Sequence, residues 1–194
     1  MTPRLVLAST STYRACLLQR LGVPFTVAAP ACDEEALKDP ALSIEQLALM
    51  LAREKARSLV QQFPDAHLLG GDQMVELDGQ ALGKPGTRER AIAQLRSLAG
   101  RSHRLWTAIV LRAPDGTEDV HVDLHTLTMR PLHDDELARY VDADRPLDCA
   151  GSYKIESRGI ALMEAIEGAD FTAITGIPLI ALATMLRARG FPIP

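Results

Sequence analysis

Leu5-Val6-Leu7-Ala8-Ser9-Thr10-Ser11-Thr12 reads as a short buried strand that ends in a run of hydroxyls and hands over to a helix. The helix carries its stripe on Arg14, Leu17, Leu18 and Leu21 and stops at Gly22, a residue suited to a helix C-terminus. Strand, polar loop, helix is an α/β opening, and the rest of the chain continues the alternation. Ser43 begins a second helix as the N-cap of a capping box with Gln46. Its apolar face runs through Ile44, Leu47, Ala48 and Leu51 toward Leu59, and Lys55 falls on that same face. His67-Leu68-Leu69 leads into Gly70-Gly71-Asp72-Gln73-Met74-Val75. Asp78-Gly79 then makes a hairpin turn, and Leu82-Gly83-Lys84-Pro85 leaves the return strand.

Farther along, Thr87 caps a helix that reaches about Leu98 and is closed by Gly100. Leu105 to Leu111 and Val120 to Met129 form a second hairpin across Pro114-Asp115-Gly116. Asp134-Asp135-Glu136 opens a helix with acids where its dipole favours them. Cys149 to Glu156 is a mixed polar loop and Gly159 to Met163 a strand. Pro178 sits at the first turn of a closing helix ended by Gly190. With no repeat, low-complexity tract or long linker, the pattern predicts one α/β domain over residues 1–194, a mixed sheet flanked by helices.

Composition narrows the function classes. The 194 residues include 21 Lys or Arg against 25 Asp or Glu, a net charge of −4, and 47% are hydrophobic, enough for a real core. Without a Lys/Arg run there is little electrostatic reason to bind a polynucleotide or an anionic bilayer, whereas a small anionic ligand needs only a few local cations. Cys16, Cys32 and Cys149 are far apart and form no C-x-x-C pair, which indicates neither a zinc knuckle nor a disulfide framework and fits a reducing cytoplasm. The apolar run at Leu5 is too short for a signal-peptide core or a membrane span.

Asp72 enters an apolar strand, and a buried carboxylate is costly unless paired, metal-bound or protonated, so it is the leading catalytic candidate. Its alternative is a structural Asp satisfied by backbone N–H groups near the Gly pair. Ser9, Ser11 and Arg14 either cradle a phosphate at the start of the first helix or form an ordinary N-cap with a surface arginine. Lys55 either snorkels past the core edge or meets an anion in a cleft, and Lys84 is a turn lysine or a rigidly held cation. Asp33-Glu34-Glu35 offers a carboxylate to a hard cation or is a solvated turn. His121, Asp123 and His125 share one side of a strand. They read as its solvent face rather than as a metal triad. Cys149 reads as a small buried hydrophobe.

Taken in order, Leu7-Ala8-Ser9-Thr10-Ser11, Asp33-Glu34, Glu54-Lys55-Ala56, Gly71-Asp72, Leu82-Gly83-Lys84-Pro85 and Ala150-Gly151-Ser152-Tyr153 make the chain resemble the Maf family of nucleoside triphosphate pyrophosphatases. The match extends from residue 5 to Gly176-Ile177-Pro178-Leu179. The resemblance implies a fold similar to that of inosine triphosphate pyrophosphatases, and a cytoplasmic homodimer. It also implies hydrolysis of a nucleoside triphosphate to monophosphate and pyrophosphate with a divalent metal cation, Mg²⁺ or Mn²⁺. By motif, Asp72 corresponds to the proton acceptor and a metal-site residue, Glu34 to a second metal-site acid, and Ser9, Arg14, Lys55 and Lys84 to triphosphate contacts.

At the positions that select the base, the chain departs from the family's dTTP and UTP pyrophosphatases. It has Ser11-Thr12-Tyr13-Arg14 where they carry S-P-R-R, Gly70-Gly71-Asp72-Gln73 where they have G-A-D-T, and Glu156 in place of Gln. Tyr13, Gln73 and Glu156 look like the family's 7-methyl-GTP branch, with Tyr13 standing for its Trp and Thr12 for its Pro. Methylation at N7 makes guanine cationic, and an aromatic face attracts such a ring by about 0.5–2 kcal/mol. Guanine also presents two N–H donors on one edge, which a carboxylate accepts together. The competing expectations are a dTTP/UTP pyrophosphatase and a non-catalytic nucleotide-binding regulator of septum formation.

Overall fold

Strand β1, Leu5–Ala8, is buried at every residue in the computed structural model, which describes residues 3–193. It pairs in parallel with β2, Phe25–Ala28, on one side and with the first part of β3, His67–Leu77, on the other. Helix α1, Thr12–Gln19, connects β1 to β2, and α2, Ile44–Arg57, lies between β2 and β3. Successive strand residues face opposite sides. Leu5 and Leu7 therefore enter one apolar cluster with Leu17, Leu18 and Leu69, and Val6 and Ala8 a second with Ala56, Leu59 and Leu68. A parallel strand covered on both faces has no polar side, which is why this stretch is continuously apolar rather than alternating.

Beyond β3 come β4, Gln80–Leu82; α3, Arg88–Leu98; β5, Ser102–Arg112; β6, Glu118–Met129; α4, Asp134–Asp144; β7, Met163–Glu167; α5, Phe171–Ile174; and α6, Leu179–Ala188. The strands pair in the order β2-β1-β3-β5-β6-β7, with β4 on β3, giving the expected mixed sheet of seven strands with helices between them. The chain gathers into two compact units: one of residues up to Asp72, Thr107–Asp123 and from Asp170 onward, the other of Gln73–Trp106 and Leu124–Ala169. Leu182 and Leu186 of α6 join the Leu5 cluster in the first unit. In the second, Asp78 and Gly79 both adopt positive φ, as a two-residue hairpin requires, and Thr87 caps α3. No helix among the described residues is long and apolar enough to cross a membrane.

Two expectations are corrected. Residues Arg158–Leu162 form a 3₁₀ helix, and the strand begins only at Met163. The chain curls back at Gly159, whose N–H donates to the Lys154 carbonyl at 2.9 Å and whose backbone leaves no room for a Cβ. The side of β6 bearing Asp123 and His125 is buried, at 6% and 1% exposure, while Val120 and Leu124 are the exposed residues. The period of two was right and the side wrong: the His125 ring lies against Gly168, where only a glycine leaves space for it. No cluster of three or more metal-ligating side chains exists among the described residues.

Gly70 fixes how closely α2 approaches β3. A Cβ built there would stand 2.0 Å from the Ala52 carbonyl oxygen and 2.8 Å from the Ala56 nitrogen, both helix backbone. Ala48, Ala52 and Ala56, spaced four apart and fully buried, give the helix the flat face this contact needs. Gly70→Ala is expected to destabilise the protein by at least the upper end of the about 1–3 kcal/mol typical of overpacking, read as a lowered midpoint in urea unfolding.

Candidate active site

Alternation along β3 carries the site. Leu68, Gly70 and Asp72 project toward α2, and Leu69 and Gly71 toward the other side of the sheet. Lys55 lies between the two alanines that pack on Gly70, so the register that buries Leu68 also brings Asp72 opposite Lys55. The Lys55 ammonium donates to Asp72 Oδ1 at 2.6 Å and contacts Glu34 Oε2 at 2.9 Å. Lys55 and Asp72 are only 5% and 7% exposed, whereas Glu34 reaches in from a loop and remains about half open to solvent. Snorkelling is thus not what Lys55 does, and Asp72 meets an ammonium rather than backbone N–H groups near the Gly pair. Asp33 shapes the loop, its Oδ1 accepting from the N–H groups of Glu35 and Ala36.

On the other face of β3, a Cβ on Gly71 would stand 3.6 Å from the Arg14 side chain. Ser11 caps α1 by accepting from the Arg14 N–H at 3.4 Å. Arg14 Nε donates to the Gly176 carbonyl at 3.2 Å, and its Nη1 reaches Ser9 Oγ at 3.5 Å. Gly176, at φ +116, is the residue that makes room for the Arg14 stem. Burial pulls the Arg14 pKa below its ordinary value, opposed by the negative charges of Asp72 and then Glu34. Cys32 senses the same group of charges: burial and then Glu34 push its thiol up while Lys55 pulls it down.

Ser9, Arg14, Glu34, Lys55 and Asp72 are therefore gathered in the first unit, with Tyr13 beside Arg14 on α1 and 36% exposed. Two carboxylates and two cations converge there. The Lys55 ammonium gives one of its three donors to Asp72 and pairs with Glu34 by charge.

Gln73, Lys84 and Glu156 belong to the second unit. Lys84 and Glu156 are exposed and Gln73 is half-buried. By alternation Gln73 shares its side of β3 with Val75, whose methyls lie within 3.2 Å of where a Cβ on Gly151 would be. The loop from Cys149 is held by buried contacts: the Tyr153 hydroxyl meets His103 Nε2 at 3.0 Å, and the Lys154 N–H donates to the Tyr140 hydroxyl at 2.9 Å. Burial pulls the His103 pKa down to about 4, so the ring is neutral at neutral pH. Cys149 is half-buried, its thiol pushed up to about 12 by burial, which fits an inert side chain. Sequence reasoning missed Gly176 as the seat of Arg14 and Gln94 as a partner of this loop. No local signal marks a carbonyl 162 residues away or an amide in mid-helix.

Comparison with known proteins bears on what these residues do. The chain matches the family described as Maf-like protein over residues 4–189. It is 50% identical to the 7-methyl-GTP pyrophosphatase of Xanthomonas campestris pv. campestris over 194 residues, the whole of both chains. It is 47% identical to the 7-methyl-GTP pyrophosphatase of Bdellovibrio bacteriovorus, covering 94% of this chain and 95% of that one. Among solved structures, the Ham1 protein of Staphylococcus aureus is similar in fold, with a TM-score of 0.53 at 16% identity over 96% of this chain and 99% of that chain.

Proposed function

The chain belongs to the Maf family, and from that premise we propose that it hydrolyses 7-methyl-GTP to 7-methyl-GMP and pyrophosphate, with Asp72 as the proton acceptor. The observation that carries this reading is the buried Asp72–Lys55 contact, joined by Glu34 and placed in the same unit as Arg14 and Ser9. A carboxylate kept this far from water is costly to maintain unless it has work or a partner, and here the partner is itself a phosphate-binding residue type. Relatives about half identical over their full length bear the name of this activity.

In this reading Asp72 accepts a proton from a water whose oxygen attacks the α-phosphorus. The bond from that phosphorus to the bridging oxygen breaks, and pyrophosphate leaves. Lys55 and Arg14 offset phosphate charge, as does Lys84 by its motif, and the Ser9 hydroxyl supplies a further polar contact. Glu34 and Asp72 also suit a divalent cation. Mg²⁺ is typically bound by one or two carboxylates together with substrate phosphates, and these two meet at one ammonium with Glu34 open to solvent. When bound, Mg²⁺ or Mn²⁺ would neutralise triphosphate charge. From the family resemblance we further propose that the protein works as a homodimer in the cytoplasm.

Base choice falls to Tyr13, Gln73 and Glu156. The test is initial rates of pyrophosphate release from 7-methyl-GTP, GTP, UTP and dTTP, measured side by side with Mg²⁺ and with Mn²⁺. The expected result is fastest turnover of 7-methyl-GTP. Pyrimidine triphosphates turned over faster would overturn the substrate, and no pyrophosphate from any of them would overturn the activity. Glu156→Gln should lower the preference for 7-methyl-GTP over UTP by about tenfold or more, since a charge-assisted hydrogen bond contributes about 1.5–3 kcal/mol.

A further inference from the structure

Gln94, in the middle of α3, ties together two segments of the second unit that carry motif residues. Its Nε2 donates to the carbonyl of Gly83, the residue before Lys84, at 2.9 Å, and its Oε1 accepts from the Ser152 hydroxyl at 2.5 Å. Chemistry fixes this orientation. A backbone carbonyl only accepts, so the amide nitrogen must face Gly83, which leaves the oxygen for Ser152 and makes that hydroxyl the donor. Ser152 is fully buried and sits at φ +63 directly after Gly151 at φ +73. A non-glycine residue stays in that conformation only where its surroundings over-determine it. Gly151 packs closely against its neighbours: a Cβ there would stand 2.9 Å from the Tyr153 ring and 3.1 Å from Val75. The anchored turn leads through Tyr153, fixed on His103, to Ile155, buried, and then to the exposed Glu156.

We infer that Gln94 is a positioning residue that sets the Lys84 turn with one end of its amide and the Ser152–Glu156 segment with the other, so that one side chain supports both phosphate contact and base selection. This deepens the pyrophosphatase reading and rests on it. The two ends are separable. In Gln94→Glu the carboxylate still accepts from Ser152 but has no donor for the Gly83 carbonyl. Ser152→Ala loses only the loop contact, and Gln94→Met loses both at similar volume.

The readouts are inhibition by pyrophosphate and the ratio of kcat/KM for 7-methyl-GTP to that for UTP, each with a thermal midpoint to separate positioning from stability. Gln94→Glu should weaken pyrophosphate inhibition at least threefold, keep the substrate ratio within twofold of the parent, and add little to Lys84→Ala in the double variant. Ser152→Ala should lower the substrate ratio at least threefold and leave pyrophosphate inhibition unchanged. Gln94→Met should do both. If the parent releases pyrophosphate normally and all three variants keep both readouts, or lose activity equally on both substrates in step with their thermal midpoints, Gln94 is only structural. A parent that releases no pyrophosphate would overturn the pyrophosphatase reading instead. Should Gln94→Met fail to fold, the other two variants decide.

Discussion

Asp72→Asn is expected to leave the fold and pyrophosphate binding intact while lowering turnover of 7-methyl-GTP about 10²–10⁴-fold, the share general-base catalysis contributes. Asn is nearly isosteric and stays on the side of β3 that faces α2. Its amide oxygen can still accept from the Lys55 ammonium, which also keeps Glu34 at 2.9 Å. What the amide cannot do is take up a proton at neutral pH or present charge to a cation. Single-turnover rates, competition by pyrophosphate and circular dichroism on the same preparation separate these effects. A variant that folds and turns over near the parental rate would remove Asp72 from the role of base.

The parts of the site that local pattern could reach were legible. A period of two along Leu68, Gly70 and Asp72, with the stripe of Ala48, Leu51 and Lys55 on α2, already places a carboxylate and an ammonium on surfaces able to face each other. Sequence spacing could not say that they meet. Their contact depends on α2 lying backbone-to-backbone on Gly70, and only an assembled sheet defines that distance. Arg14 illustrates the same limit, since the carbonyl that seats it comes from the far end of the chain. The error on β6 has a different origin. His and Asp are assigned to solvent by their polarity, and here a glycine on the neighbouring segment leaves space for His125. Strand β2 went unread because its four residues lie at the edge of the sheet and show no inside-out alternation, with two exposed side chains in succession.

Lys55→Met is expected to damage stability and function together, which an exposed lysine would not do. The methionine fills the volume of the stem, so any loss reflects the charge rather than a cavity. Removing one partner of a buried ion pair costs about 3–5 kcal/mol, because the other charge is left without compensation. Asp72, at 7% exposure, would be left in that position, while Glu34 could turn to water. Urea unfolding should therefore show a shifted midpoint, and inhibition by pyrophosphate should weaken. Adding Asp72→Asn to the same chain removes the stranded charge and should recover part of the lost stability without restoring turnover. If Lys55→Met unfolds like the parent and binds pyrophosphate equally well, neither the burial cost assigned to Asp72 nor the phosphate role of Lys55 stands. If the double variant is no more stable than Lys55→Met alone, the penalty does not come from the Asp72 charge.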